Sequence, residues 1–98
     1  MSSSYFKNEE KLNDASNFGP WKGRLDITLE EHDVLEYVES EVANPPENSN
    51  AAIKAKYKKG EVKAKRINLD SLRDHLITYV SNLKKSKEMY DKLIGMYK

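Results

Sequence analysis

The feature that most narrows the fold is the stretch from Leu12 to Leu25. A polar, turn-forming lead (Asn13, Asp14, Ser16, Asn17) runs into Gly19-Pro20, and an apolar series at helical spacing follows. Proline suits the first helical turn, where its missing N–H would have no partner anyway. Pro20 therefore reads as a helix start, with Gly19 or Asn17 near the cap. Phe18, Trp21, Leu25 and Leu29 fall on one face of that helix, at the spacing of an amphipathic segment. Trp21 is the only tryptophan in the chain. An indole buries a large apolar area, so the remaining helices are expected to pack around it.

The rest of the chain repeats this pattern. The first helix is expected from Pro20 to Glu31, because Glu30, Glu31 and Asp33 sit where the helix dipole disfavours anions. Asp33 is then expected to cap a short second helix with a stripe of Val34 or Leu35, Val38 and Val42, down to about Glu41. The run from Ala43 to Asn50 carries Pro45-Pro46 and reads as a loop. A helix from about Asn50 keeps Ile53, Tyr57, Ala64 and Ile67 in register. Gly60 lies in the same stripe, as a close helix contact, a kink, or a break after Lys58-Lys59. Leu69, Leu72, Leu76, Val80 and Leu83 form the cleanest amphipathic series, with Ser71 and Asp74 resembling a capping signal at which a new helix is expected to start. Asn82 to Ser86 is a polar hinge. Ser86 is expected to cap a last helix, with Glu88 in its first turn. Met89, Leu93 and Met96 or Tyr97 form its inner face, with Tyr90 and Ile94 beside it. No stretch alternates with period two. The expected fold is all-α, a small bundle of about five helices, with residues 1–17 as a flexible N-terminal arm docking near Leu12 and residues 18–98 as the helical domain.

Charged residues make up 34% of the 98 residues and the formal net charge is +1, so any electrostatic steering has to come from a local patch. The absence of cysteine excludes disulfides, thiol chemistry and Cys-based zinc sites within these residues. No apolar run approaches a membrane span and no secretory signal is visible, so the expectation is an intracellular, cytoplasmic protein with no membrane partner. The amphipathic pattern still running at Lys98 is what a fragment of a longer chain would show.

Three pieces of the chain carry a recognisable pattern. The first is Leu12-Asn13…Asn17-Phe18-Gly19-Pro20-Trp21-Lys22…Leu25. The second is Ala64…Ser71-Leu72-Arg73-Asp74-His75-Leu76…Val80. The third is Ser86-Lys87-Glu88-Met89-Tyr90-Asp91-Lys92-Leu93…Tyr97. Taken together, in this order and spacing from Leu12 to Tyr97, they resemble the N-terminal helical, capsid-like region of the Gag polyprotein of copia-type long-terminal-repeat retrotransposons. Asn68 and Asp70 stand where the family usually carries apolar residues, and Tyr90 replaces the commoner tryptophan. The resemblance implies a Gag-type structural protein that self-associates into virus-like particles around the element's RNA. The family-motif residues are Leu12, Phe18, Trp21, Leu25, Leu72, Leu76, Val80, Met89, Tyr90 and Leu93.

The residues themselves offer one candidate contact surface. Lys54, Lys56, Lys58, Lys59, Lys63, Lys65 and Arg66 form a basic run broken only by Glu61. It reads either as a solvated helix face or as a weak, salt-sensitive phosphate contact for RNA. Lys84, Lys85 and Lys87 surround a helix start. Glu30, Glu31, Glu36, Glu39 and Glu41 make the first third acidic, which reads as a solvated face or, set against the basic middle, as a head-to-tail contact between copies. His32 and His75 stand apart, without metal-ligand spacing. No P-loop, dinucleotide fingerprint or nucleophile elbow is present. The expectation is no enzyme, no cofactor, no metal and no small-molecule substrate. The alternatives are a helical nucleic-acid-binding module or a host-domesticated interaction module with a groove near Tyr37 or Tyr97.

Overall fold

The computed structural model describes residues 5–40 and 45–97. Among the described residues five α-helices follow in order: α1 Phe18–Glu31, α2 Glu36–Glu39, α3 Ala51–Asp70, α4 Asp74–Ile77 and α5 Ser86–Tyr97. Short 3-10 turns at Asn8–Glu10 and Ala15–Asn17 precede them. The described residues contain no strand, only an isolated parallel bridge between Leu12 and Leu72. The fold is all-α, as expected.

The first helix begins two residues before Pro20, with Asn17 as N-cap. Pro20 still lies in the first turn, whose N–H groups have no intrahelical acceptor. The Asn17 side chain does not cap α1. It folds back on the lead, accepting from Asn13 N at 3.1 Å and donating to Lys11 O at 2.8 Å. Asp14 caps the preceding 3-10 turn, and its bonds from the Ser16 side chain and amide hold its carboxyl below the usual range.

Asp33 does not cap α2. It has φ 59° and closes α1, donating to Glu30 O at 3.0 Å, while Val34 N reaches Leu29 O at 3.0 Å. This is a left-handed stop of the kind usually supplied by glycine, and aspartate tolerates it. Val42, the last residue of the expected α2 stripe, and Ala43-Asn44 of the loop lie outside the described residues.

The helix α3 starts where expected, next to Asn50, and the structure adds a cap: Asn50 Oδ1 accepts from Ile53 N at 2.9 Å. The helix runs through Gly60 without a break. A Cβ at Gly60 would overlap the Tyr37 ring, so the glycine serves a close approach by α2. Ile53 departs from its expected place in the stripe and is 51% exposed, as is the whole run from Ala51 to Lys56 around it.

The series Leu69 to Leu83 does not make one helix. Ser71 ends α3, with its hydroxyl donating to Asn68 O at 2.6 Å, and the chain then extends to pair with Leu12. Arg73 occupies the cap position of the single-turn α4, Val80 lies in a turn, and Leu83 lies outside any helix or turn. Leu72, Leu76 and Val80 are nonetheless buried. Turns can bury an apolar ladder as a helix would, provided the backbone finds other partners.

Trp21, Leu25, Leu29, Val38, Ile67, Met89 and Leu93 complete the core around these residues. Phe18 is half-buried, stacked between Trp21 and Tyr97 with centroids 5.6 and 5.9 Å away. Residues expected as an arm belong to the packed body from Tyr5 onward: Phe6 and Leu12 are buried, and Leu12 has no exposed surface. Residues 1–4 lie outside the described part.

A polar junction ties α2, α3 and α5. Ser86 N donates to Glu61 Oε1 at 2.6 Å, Ser86 Oγ donates to Tyr37 O at 3.3 Å, and Asn68 Nδ2 donates to Ser86 O at 3.1 Å. Ser86 is thus the first residue of α5 and not its cap. The Glu88 carboxylate instead folds back to accept from Lys85 N at 3.0 Å.

Candidate interaction surface

The 20-residue α3 spans about 30 Å at 1.5 Å per residue, in a body 46 Å long. Its inner side, with Ala64, Ile67 and Asn68, is buried. Of the expected basic residues, Lys54, Lys56, Lys58, Lys59, Lys63 and Arg66 are exposed and Lys65 is half-buried. They do not form one face. Lys58, Lys59, Lys63 and Arg66 line a groove of about 570 Å³ with Ala55, Val62 and Tyr5. Lys56, Lys59 and Lys63 line a second cleft of about 600 Å³, opposite His32, Asp33, Glu36 and Tyr37. Lys54 and Lys65 line neither; the Lys54 ammonium donates to the Glu47 carbonyl.

The two openings differ in chemistry. The second cleft carries Asp33 and Glu36 on one wall against lysines on the other, so its own charges offset each other. The first groove has cations only on an apolar floor, and no carboxylate lines it. Sequence reasoning found the cations. It missed Tyr5 as the groove's far wall, held there by an edge-to-face contact with His32 at 4.9 Å. Nothing local in the sequence announces a contact between residues so far apart.

The ion pairs among the described residues are Lys22–Asp26, Arg66–Asp70 and Lys87–Asp91, each within one helix at i, i+4. Glu30, Glu31, Glu36 and Glu39, exposed on α1 and α2, enter none of them, and neither do Lys58, Lys59 and Lys63. Outside the mixed cleft, where Glu36 faces Lys59 and Lys63, the molecule presents an acidic edge at Glu30 and Glu31 and a basic groove around Lys58.

One pair joins a larger clasp that the sequence did not announce. Tyr90 OH donates to Asp26 Oδ1 at 2.7 Å, Lys22 Nζ donates to Asp26 Oδ2 at 2.9 Å, and the same ammonium sits 5.9 Å from the Tyr90 ring centre. Burial, then the Asp26 carboxylate, pushes the Tyr90 hydroxyl up to about 12. The bond to Asp26 raises Lys22 above its ordinary value. This clasp ties α1 to α5.

The residues of the three resembling segments, Leu12, Trp21, Leu25, Leu72, Leu76, Val80, Met89, Tyr90 and Leu93, converge in the core, with Phe18 at its edge. Among the described residues no group of three His, Asp or Glu side chains is placed to hold a metal ion, and no helix is long and apolar enough to cross a membrane. His75 Nε2 lies 3.0 Å from Asn13 O, beside Arg73, in a small polar cleft, and His32 meets Tyr5.

Comparison with protein families, with curated proteins and with solved structures gives no match.

Proposed function

We propose that this chain is a helical building block of a Gag-type shell, acting by self-association to enclose element RNA. The observation that supports the reading best is the meeting of the three resembling segments. Leu12 and Trp21 of the first both bond the carbonyl of Ser71 in the second, and Leu93 of the third is buried in the same core. Segments that resemble one family at three separated places, and whose apolar residues share one core, are what a common fold requires. The surface fits a structural role as well, with glutamates on α1 and lysines on α3 exposed and outside the ion pairs, where other copies can reach them. Single contacts of this kind are weak and gain strength by repetition. Electron microscopy of the concentrated protein with and without RNA tests the reading. Higher-order particles are expected. A chain that stays monomeric at every concentration, with no particles, overturns it.

A second reading has its own support in the groove on α3. Lys58, Lys59 and Lys63 project around an apolar floor, which suits a nucleic-acid-binding module that grips phosphates. That reading expects RNA affinity to fall steeply with salt, and Lys58→Glu with Lys59→Glu to abolish it. Unchanged binding after the double substitution removes it.

A further inference from the structure

We propose that copies of this chain dock head to tail, with the outer ridge of α1 around Ile27 of one copy entering the α3 groove floored by Val62 of the next. This rests on the self-association reading and names the surfaces that carry it.

The two patches are apolar spots rimmed by opposite charge. Ile27 is 57% exposed and lies on the side of α1 turned away from Leu25 and Leu29. Glu30 and Glu31 follow it by three and four residues, so they stand beside it one turn on. Val62 is 52% exposed on the side of α3 turned away from Ala64 and Ile67. Lys58 and Lys59 precede it by four and three residues and line the same groove. Aliphatic side chains this exposed leave apolar area in water that a partner would cover.

Charge selects the pairing. Groove against groove sets lysines against lysines, while ridge against ridge sets glutamates against glutamates when parallel and offers them only Arg24 of the other copy when antiparallel. Ridge against groove gives the two glutamates the larger set of cations, and it also fixes direction. With Glu30 and Glu31 at Lys58 and Lys59 the two helices run antiparallel, and Arg24 at the other end of the ridge comes beside Arg66, whose charge Asp70 offsets. Because the surfaces differ, each copy keeps one of each free after pairing, and the contact propagates through further copies without closing on a pair. The second cleft is the poorer dock, since Asp33 and Glu36 already face its lysines.

Two double variants test this with all changes at exposed positions. The ridge variant carries Ile27→Asn and Glu31→Gln; the groove variant carries Val62→Gln and Lys58→Gln. Circular dichroism is expected to show wild-type helix content in both. In sedimentation velocity the wild-type chain is expected to grow in mass with concentration, and each variant alone to associate about tenfold or more weakly. An equimolar mixture keeps one intact ridge and one intact groove, so it is expected to form a one-to-one pair and stop. Variants that associate as strongly as wild type overturn the proposed surfaces and leave self-association standing. A wild-type chain that never associates overturns both. A groove variant that loses RNA binding yet sediments like wild type assigns the groove to nucleic acid and ends the proposal.

Discussion

The indole nitrogen of Trp21 donates a buried hydrogen bond of 3.0 Å to the carbonyl of Ser71, fifty residues along the chain. The same carbonyl accepts from Leu12 N at 2.8 Å, and Arg73 N returns a bond to Leu12 O at 3.1 Å. One residue at the end of α3 thus fastens both α1 and the segment before it. Trp21→Phe removes the indole donor and part of the ring but leaves Leu12 bonded. The expected loss is about 2–3 kcal/mol, from the bond and the residual cavity. Urea unfolding measures it. A loss well under 1 kcal/mol would show that the indole is not the anchor described.

Two glycines are expected to respond with opposite sign. A Cβ at Gly23 meets nothing within 4 Å, so Gly23→Ala is expected to raise stability by up to about 1 kcal/mol through helix propensity. Gly60→Ala brings the same propensity gain, but its Cβ overlaps Tyr37 and forces that buried ring to shift. A net loss of about 1–2 kcal/mol is expected. Thermal unfolding of the two variants side by side checks the contrast, and a stabilised Gly60→Ala protein would contradict the packing of α2 on α3.

At the junction of α3 and α5, Glu61→Ala removes the acceptor of the buried Ser86 amide. The expected cost is about 2–3 kcal/mol, with faster hydrogen exchange at Ser86 and the first turn of α5. Exchange unchanged at Ser86 would mean that the carboxylate does not hold that helix start.

Alkaline pH is expected to loosen the clasp between α1 and α5. The folded values of Tyr90 and Lys22 both lie above their ordinary ones, 10.0 and 10.5. The stability they contribute is therefore complete below about pH 10 and is lost as pH rises through the folded values, about 12 for Tyr90. Tyr90→Phe removes the hydroxyl and is expected to flatten that part of the pH profile. A wild-type profile with no decline above pH 10 would contradict the clasp.

The sequence made α1, α5 and the start of α3 legible because their signals are local: a proline in the first turn, an asparagine at the helix start, apolar residues one turn apart. It also marked Leu72, Leu76 and Val80 as buried, but it drew them as one helix. What interrupts that helix is the pairing of Leu72 with Leu12, a contact across sixty residues that no spacing rule contains. Asp33 misled for a related reason, since aspartate serves both as an N-cap and as a left-handed stop. On the surface, the cations of α3 were visible in the sequence. Their division between a purely basic groove and a mixed cleft was not, because it depends on where Tyr5, Asp33 and Glu36 are brought by the fold.

The claim that this chain is a unit of assembly is tested most directly by light scattering of the wild-type protein over a wide concentration range, at low and at high salt. The account expects the average mass to climb above that of one chain as concentration rises, and to fall back when salt screens the charged faces. A mass that stays at one chain across the whole range, in both conditions, would contradict it.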